Sequence, residues 1–344
     1  MSKFSVGCFL IGVCGKFTKN SEALLGSVSD DPYDVRTFMK VVKSENELTH
    51  IGTELTSTSE HTLEERGYFA RFNETTRGIN ESGLAFTSAM VFEDKNTKKA
   101  SNATDFADVT EFIMKNCKSV EDAISAFSEK KAIFPAYSVL LADNYGSLAH
   151  IEVGSYGTAV NHHYSKGQSG IVMAVNCYQS PDFIKYNMPE SLMTNKKNNN
   201  VSRFERGKIL AEKFKGNFSV EVLKQILSDH ENNLQNPLDN PLLEGWGYSI
   251  CNHGTLKKDN YQPENLPWGT VSSEILQPSK KLFWYAYGWP CGQKPEYKDQ
   301  IFQQNSWGKF IPFGFLEKNH IKATIALTTV DGEITKTGLK MIYE

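Results

Sequence analysis

The sequence predicts an α+β protein in which stacked β-sheets are covered by helices on both sides. Two observations lead to this fold class. Short runs rich in β-branched and aromatic residues open the chain, fill its middle and close it, and two pairs of amphipathic helical segments separate them. The chain has 344 residues, 40% of them hydrophobic, which is enough for a core of several layers.

The predicted strands are short runs bounded by Gly, Asn or Asp, a pattern typical of extended sheet. In the first half they are CFLIGVC (8–14), ALLGSVS (23–29), GLAFTSAMV (83–91), YSVLLAD (137–143), LAHIEVG (148–154), GTAVNHHY (157–164) and GIVMAVN (170–176). Near the end they are TVSSEILQ (270–277), KLFWYAYGWP (281–290) and residues 320–338. In the last segment, Asp331-Gly332 between alternating apolar runs predicts a hairpin turn.

Helices are predicted where apolar residues recur at steps of three and four. They are Asp105–Asn116, Val120–Lys130 with Ser119 as its N-cap, Arg203–Phe214 and Val220–His230. The Asn- and Lys-rich stretch Thr194–Asn200 is predicted to be a surface connection. Because the chain contains no internal repeat and no long linker, we expect one domain.

Charge and hydropathy restrict the partners. The formal net charge of -3 arises from 37 basic and 40 acidic residues spread along the chain, which argues against nucleic acid. No stretch approaches the roughly 18 uninterrupted apolar residues that a membrane span needs, so no membrane partner is predicted.

The six cysteines lie far apart without a CxxC pair, which argues against a disulfide framework and favours a reducing, cytoplasmic setting. His162-His163, His253 with Cys251, and His230 with Asp229 lack the i, i+4 or CxxC spacing of strong zinc signatures. Neither a metal nor a cofactor is therefore predicted.

A candidate nucleophile lies at the very start of the first predicted strand. Cleavage between Gly7 and Cys8 would place a free α-amine beside the Cys8 thiol, and an amine that titrates near about 7.7–8.0 can accept the thiol proton without a histidine. The structural alternative is a buried strand cysteine. Cys14 is the weaker candidate, since a turn-like sequence follows it.

Several phrases, in order along most of the chain, carry a family resemblance: GCFLIGV, GSVSDD, GINESGLAF, ADNYGSLAHIEVG, MAVNCYQSPDF, SRFERGKIL, YSICNHGT and TVSSEILQPSKKLFWYAYGWPC. Together they resemble the acyl-coenzyme A:6-aminopenicillanic acid acyltransferase family of N-terminal-nucleophile hydrolases and, more loosely, choloylglycine hydrolase and penicillin V acylase. The resemblance implies a four-layer αββα sandwich of two mainly antiparallel sheets. It also implies self-cleavage, with a propeptide of residues 1–7 and an enzyme domain of residues 8–344.

The resemblance also assigns site residues. Cys8 takes the place of the nucleophile, and Asp30 that of the carboxylate which orients its amine. Asn176 matches a strand-end Asn that touches the scissile group, and an amide there can stabilise an oxyanion. Arg203 matches the arginine of the SRFxR phrase, although Arg206 lies on the same helical face and either side chain could point inward.

Two positions depart from the family pattern. Ser27 stands where the bile-salt branch has Arg and the acyltransferase branch has Gln, which argues against a bile-acid substrate. Met90 replaces an oxyanion-hole Asn and cannot donate a hydrogen bond. Asn80, Ser88 or a backbone amide could substitute, or the hole is built as in other branches.

The function expected from these features is hydrolysis or acyl transfer at a linear amide bond of a small N-acyl substrate, through an acyl-thioester on Cys8. A dipeptidase-type cysteine hydrolase and a non-catalytic ligand-binding relative are the alternatives. The substrate, any use of coenzyme A and the oligomeric state stay open, although homo-oligomers are common among the relatives.

Overall fold

The computed structural model describes residues 7–32, 35–43, 46–57, 75–94, 102–188, 194–231, 249–253, 268–293, 307–316, 320–322, 327–328, 334–335 and 340–343. The strands of its first half are β1 (Gly7–Cys14), β2 (Leu24–Pro32), β3 (Val35–Lys43), β4 (His50–Ser57), β5 (Thr75–Asn80), β6 (Ala85–Met90), β7 (Thr104–Asp105), β8 (Ile133–Phe134), β9 (Tyr137–Ala142), β10 (Leu148–Gly154), β11 (Gly157–Tyr164) and β12 (Gly170–Val175). The later strands are β13 (Trp268–Gln277), β14 (Leu282–Tyr287), β15 (Ile311–Leu316), β16 (His320–Lys322), β17 (Leu327–Thr328), β18 (Ile334–Thr335) and β19 (Lys340–Tyr343). The α-helices are α1 (Phe106–Asn116), α2 (Val120–Ser128), α3 (Thr194–Phe214) and α4 (Val220–Leu227).

The strands form two large sheets. The first has seven strands in the order β12-β1-β2-β13-β14-β15-β16, and the second has eight in the order β11-β10-β9-β6-β5-β4-β3-β19. Neighbouring strands are antiparallel throughout both sheets, except for the parallel pair β19 and β3. The first strand of the chain is therefore an inner strand of the first sheet, with β12 and β2 on its two sides.

Three apolar clusters define the layers. One lies between the sheets and includes Leu10, Leu25, Ile51, Leu140 and Leu148. A second joins α1 and α2 to the outer face of the second sheet, and a third joins α3 and α4 to the outer face of the first. Because successive residues of a strand point to opposite faces, one strand can contribute side chains to two clusters. This confirms the predicted αββα sandwich of mainly antiparallel sheets.

Local capping explains where the helices begin. Asp105 caps α1 by accepting a hydrogen bond from the Ala107 amide at 3.0 Å. Ser119 and Asp122 form a reciprocal capping box at the start of α2, so the predicted N-cap of this helix is confirmed.

Two regions differ from the sequence prediction. The predicted surface connection Thr194–Asn200 is wrong, since α3 begins at Thr194 and Asn199 and Asn200 are buried. Packing against the sheet overrides the weak helix propensity of Asn. The sequence did not predict β3, β4 and β5. All six residues of β5 are buried, so its sequence TTRGIN shows no alternation of apolar and polar residues. The Asp331-Gly332 turn lies outside the described residues, although β17 and β18 pair in antiparallel fashion.

Candidate active site at Cys8

Cys8 lies at the beginning of β1, directly opposite Ser29 of β2 in the antiparallel ladder. Its side chain is 6% exposed and belongs to the apolar cluster between the two sheets. Residues that face each other in a ladder point to the same side, so the odd-numbered positions from Ser27 to Asp31 share the face of Cys8. Gly7 and Asp30, which face each other, lie on the opposite side, toward α3.

Arg77 places a guanidinium beside the thiol from the other sheet. This arginine comes from β5, is fully buried, and donates a hydrogen bond from Nη2 to Cys8 Sγ at 3.8 Å. Its Nε lies 3.1 Å from Ser27 Oγ and 3.0 Å from Glu274 Oε2, so Glu274 of β13 is its counter-ion. Glu274 also accepts hydrogen bonds from Ser27 at 2.8 Å and from Ser272 at 2.7 Å. A small residue at position 27 leaves the space that the Arg77 side chain fills.

The electrostatic environment of the thiol has opposing contributions. Burial raises the pKa of Cys8 above its ordinary value, the positive charge of Arg77 lowers it, and the carboxylate of Asp31 raises it further. Burial by itself lowers the pKa of Arg77, but Glu274, Cys8 and Asp31 together outweigh this effect and the pKa is raised. Arg77 therefore remains a cation, and it is the main group that favours the thiolate.

Asn176 contacts the backbone of the candidate nucleophile. It follows the last residue of β12, and its Oδ1 accepts a hydrogen bond from the Cys8 amide nitrogen. Its Nδ2 donates to the carbonyl oxygen of Met90 at 2.9 Å, across the gap between the sheets. Since an amide nitrogen carries two protons, this leaves a second N–H of Asn176 beside Cys8. Met90 thus contributes its backbone carbonyl, which holds the Asn176 side chain in place.

A second polar cluster lies on the other face of β1, toward α3. Its centre is Asp30, whose carboxylate accepts hydrogen bonds from Arg203 Nη2, from Asn252 Nδ2 at 2.8 Å and from Thr270 Oγ1 at 2.8 Å. Burial lowers the pKa of Arg203 to about 10, so the guanidinium stays charged at neutral pH and forms a fully buried ion pair with Asp30. Arg203, not Arg206, is therefore the inward-pointing arginine of α3.

Gly7 packs directly on this cluster. A Cβ atom at position 7 would lie 2.5 Å from Asn199 Nδ2 and 2.9 Å from Arg203 Nη1, closer than real side chains approach. Among the described residues, Nε and Nη1 of Arg203 have no hydrogen-bond acceptor. The residue before Cys8 is thus enclosed by the ends of two α3 side chains, and a larger residue there would have to displace them.

The side chains of Asn80 and Ser88 donate hydrogen bonds to backbone carbonyls of other residues than Cys8. Asn80 donates hydrogen bonds to the carbonyl oxygens of Met114 and Cys117, and these bonds connect β5 to the end of α1. Its contacts do not support the prediction that it replaces the oxyanion donor. Ser88 donates to the carbonyl of Thr76 at 2.7 Å. These are bonds that hold the second sheet together.

Arg206 and Cys14 also face other groups. Arg206 forms a bidentate pair with Asp229 and a further ion pair with Glu231, at the partly exposed edge of α3. Cys14 is at the far end of β1, where its thiol donates to the Gln168 carbonyl at 3.8 Å. Neither residue contacts Cys8 through any hydrogen bond of the described structure.

Sequence reasoning missed Arg77, Glu274, Asn252 and Thr270. Asn252 lies in the phrase YSICNHGT, and Thr270 and Glu274 lie in TVSSEILQ, but neither phrase by itself gives these residues a role. The four positions are 69 to 266 residues away from Cys8 along the chain, so only tertiary contacts bring them to the site. For Arg77 the available signal was an arginine within the short run TTRGIN, where burial of a charge requires a partner.

The fold brings together four possible metal ligands whose spacing along the chain carries no zinc signature. His230, Cys251, His253 and Cys291 each offer one ligand atom, and these atoms all lie within 4.8 Å of one another. Chain separation is no guide here because tertiary contacts assemble the cluster. His162 and His163 have no part in it; His163 instead contacts Glu121 at 3.2 Å.

No helix in the described part of the chain combines the length and apolar character that crossing a bilayer requires.

A protein-family model matches most of this chain. Residues 31–259, two thirds of the chain, match the model of the acyl-coenzyme A:6-aminopenicillanic acid acyl-transferase family. A search of curated proteins finds no match.

Two solved structures are similar to this chain at low sequence identity. Penicillin V acylase from Agrobacterium tumefaciens is 15% identical, with 81% of this chain and 83% of that chain covered and a TM-score of 0.45. A variant of conjugated bile acid hydrolase from Clostridium perfringens is 12% identical, with 96% and 98% covered and a TM-score of 0.46.

Proposed function

Because this chain belongs to the acyl-coenzyme A:6-aminopenicillanic acid acyl-transferase family, we propose that it is an N-terminal cysteine amidohydrolase or acyltransferase acting on linear amide bonds. The family supports an enzyme that transfers or hydrolyses acyl groups of amides. The finer proposal is that Cys8 is the nucleophile, and that autocatalytic cleavage of the Gly7–Cys8 bond exposes it.

One observation carries the proposal most directly. At the first residues of β1, a buried thiol lies 3.8 Å from a buried guanidinium, and its own amide nitrogen is bound by the side chain of Asn176. A structural cysteine needs neither contact, because a buried thiol behaves as a small apolar group. A nucleophile needs both: a cation that favours the thiolate, and a polar side chain at the atom where the new amine forms.

Maturation follows from this arrangement. The Cys8 thiolate attacks the Gly7 carbonyl carbon, the bond between that carbon and the Cys8 nitrogen breaks, and a thioester forms on Sγ while the nitrogen takes up a proton. Water then hydrolyses the thioester, which releases a carboxylate at Gly7 and restores the thiol. The restored residue has a free α-amine, held near Asn176.

Turnover uses the same groups. The α-amine accepts the thiol proton, and Sγ attacks the carbonyl carbon of the substrate amide. The second N–H of Asn176 donates to the oxyanion, a role worth roughly 3 kcal/mol in comparable enzymes. The leaving nitrogen takes the proton from the α-amine, and water or an acceptor amine then releases the acyl group from Cys8.

The Asp30 cluster has a positioning role in this proposal. Gly7 faces Asp30 across the ladder, so loss of Gly7 leaves the new amine next to the carboxylate that Arg203, Asn252 and Thr270 hold in place. A fixed carboxylate there can restrict the amine to the orientation in which it reaches the thiol.

The experiment is the intact mass and N-terminal sequence of the purified protein, compared with its Cys8→Ala and Cys14→Ala variants. We expect the unmodified protein and Cys14→Ala to begin at Cys8, and Cys8→Ala to keep the preceding residues. Processing of Cys8→Ala at the same bond would contradict self-cleavage. An unprocessed protein with an unreactive Cys8 would instead indicate the ligand-binding relative.

Substrate class is tested on the processed protein with a panel of N-acyl amides and a matched panel of dipeptides. Release of a free amine and accumulation of a Cys8-linked acyl group, seen as an added mass, are expected with the N-acyl amides. Turnover of dipeptides alone would indicate the dipeptidase-type activity.

A further inference from the structure

Four metal-ligating side chains meet beside the Asp30 cluster. His230 follows α4, Cys251 and His253 lie two residues apart in the described segment 249–253, and Cys291 follows β14. Their ligand atoms all lie within 4.8 Å of one another, and His253 Nε2 is 3.3 Å from Cys291 Sγ. Cys251 and His253 are buried, whereas His230 and Cys291 are partly exposed. Three chain segments thus converge on one point.

We propose that His230, Cys251, His253 and Cys291 bind one zinc ion. Two thiolates and two imidazoles are a ligand set that zinc takes in structural sites, in tetrahedral geometry. With bonds of about 2.3 Å to sulfur and 2.0 Å to nitrogen, tetrahedral ligand atoms lie roughly 3.3–3.8 Å apart. The separations in the structure, none above 4.8 Å, need a contraction of about 1.5 Å at most to reach these values. Four protein ligands complete the shell, so the role is structural.

The surroundings orient the ligands. The ring of His253 stacks on Trp289 at a centroid distance of 3.5 Å, and the amide of Cys251 donates to the Asp229 carbonyl at 2.9 Å. Ser228 Oγ donates to the carbonyl of Pro290 at 2.9 Å, which ties the residue after α4 to the residue before Cys291. Contacts of this kind around the ligands are typical of metal sites.

The zinc site would also restrict the candidate active site. Asn252 lies between Cys251 and His253, and its side chain donates to Asp30. Two hydrogen bonds join the backbone of Asn252 to Thr270. The Asn252 N–H donates to Thr270 Oγ1 at 2.9 Å, and the Asn252 carbonyl accepts from the Thr270 amide at 2.7 Å. A zinc ion bound by Cys251 and His253 would therefore also fix the position of Asn252, which donates to Asp30. The inference does not depend on the proposed catalytic activity.

The test is elemental analysis of the full chain, purified under reducing conditions without added chelator and then incubated with zinc chloride and desalted. We expect about one zinc per chain in the unmodified protein and in the Cys117→Ser control, whose thiol is buried elsewhere, among the residues of α1 and α2. Cys291→Ser and His253→Ala should each lose most of the zinc. These variants are to be checked for folding by circular dichroism.

A second readout keeps the proposal testable when a variant fails to fold. Replacing zinc by cobalt in the unmodified protein should give the visible spectrum of tetrahedral, thiolate-ligated cobalt, and removal of zinc should lower Tm, with recovery when zinc is restored. A Cys251–Cys291 disulfide found by peptide mapping of the protein as isolated would overturn the proposal. So would a folded protein that takes up no zinc, or zinc content unchanged in both ligand variants.

Discussion

The buried pair of Arg77 and Glu274 gives the sharpest test of the site, because two effects of Arg77 can be separated. Replacing Arg77 by Met removes the cation beside Cys8 and also leaves the Glu274 carboxylate buried without its counter-ion. Removing one partner of a buried ion pair costs about 3–5 kcal/mol. Glu274 keeps two hydroxyl donors, at 2.7 and 2.8 Å, so the expected loss is near the lower limit, about 3 kcal/mol.

The matched double variant is Arg77→Met with Glu274→Gln. A neutral Gln can accept a hydrogen bond from one of the two serine hydroxyls and donate its amide N–H to the other. No charge is left buried, so we expect recovery of about 2 kcal/mol relative to the single variant. The free energy of unfolding is measured by equilibrium denaturation. Lys208→Met, which removes an exposed pair with Glu205, is the control and should change stability by less than about 1 kcal/mol.

Thiol reactivity gives the second measurement. Arg77 lowers the pKa of the Cys8 thiol, so its removal raises this pKa and moves the alkylation profile to higher pH. Iodoacetamide labelling across pH, with Cys8 followed by mass spectrometry, should show this displacement in the single and the double variant alike. A double variant that regains stability and alkylates with the profile of the unmodified protein would refute the role given to Arg77.

Three further predictions concern the fold and processing. Burial lowers the pKa of His150 from 6.5 to about 3, so as pH falls through this window the unfolded state binds a proton that the folded state does not, and stability is lost there, by about 5 kcal/mol in full. His150→Asn should flatten the acid limb of denaturation curves, and the exposed His163→Asn should not. Ser119→Ala should lower the free energy of unfolding by about 1 kcal/mol through loss of the α2 cap, whereas Ser125→Ala within the helix should not lower it. If the Gly7–Cys8 bond is cleaved by the chain itself, Gly7→Ala should slow the appearance of the shortened chain on intact-mass time courses, because the new methyl group must displace the side-chain ends of Asn199 and Arg203. Cleavage at the unmodified rate would contradict this.

The layer order could be predicted because the strands carry their own signal. In β1, Leu10 packs between the sheets, while Phe9 and Ile11 pack against the helices, so both faces are apolar and the strand must be internal. Ser119 predicted the start of α2, since an N-cap is local in sequence, and the structure adds Asp122 as its capping-box partner. Local interactions of this kind can be predicted from a single sequence.

The candidate site was only partly accessible to sequence reasoning. Gly7, Cys8 and Asp30 could be proposed because they lie in short phrases that resemble a family, and their catalytic roles stay predictions. The structure adds that Arg203 faces inward and Arg206 outward, a choice that a three-residue helical step leaves open. In the structure the Cys8 nitrogen donates to Asn176, and the orienting role of Asp30 stays a prediction.

The sequence by itself determined the αββα class, most of the strands and helices, and a thiol at the start of the first strand. These depend on hydrophobic periodicity and on residues adjacent in the chain. Only the tertiary structure brought Arg77 from the second sheet to Cys8, and His230, Cys251, His253 and Cys291 to one point. The reason is physical: a buried charge or a metal ligand set is stabilised by groups close in space, and their separation along the chain leaves no local pattern.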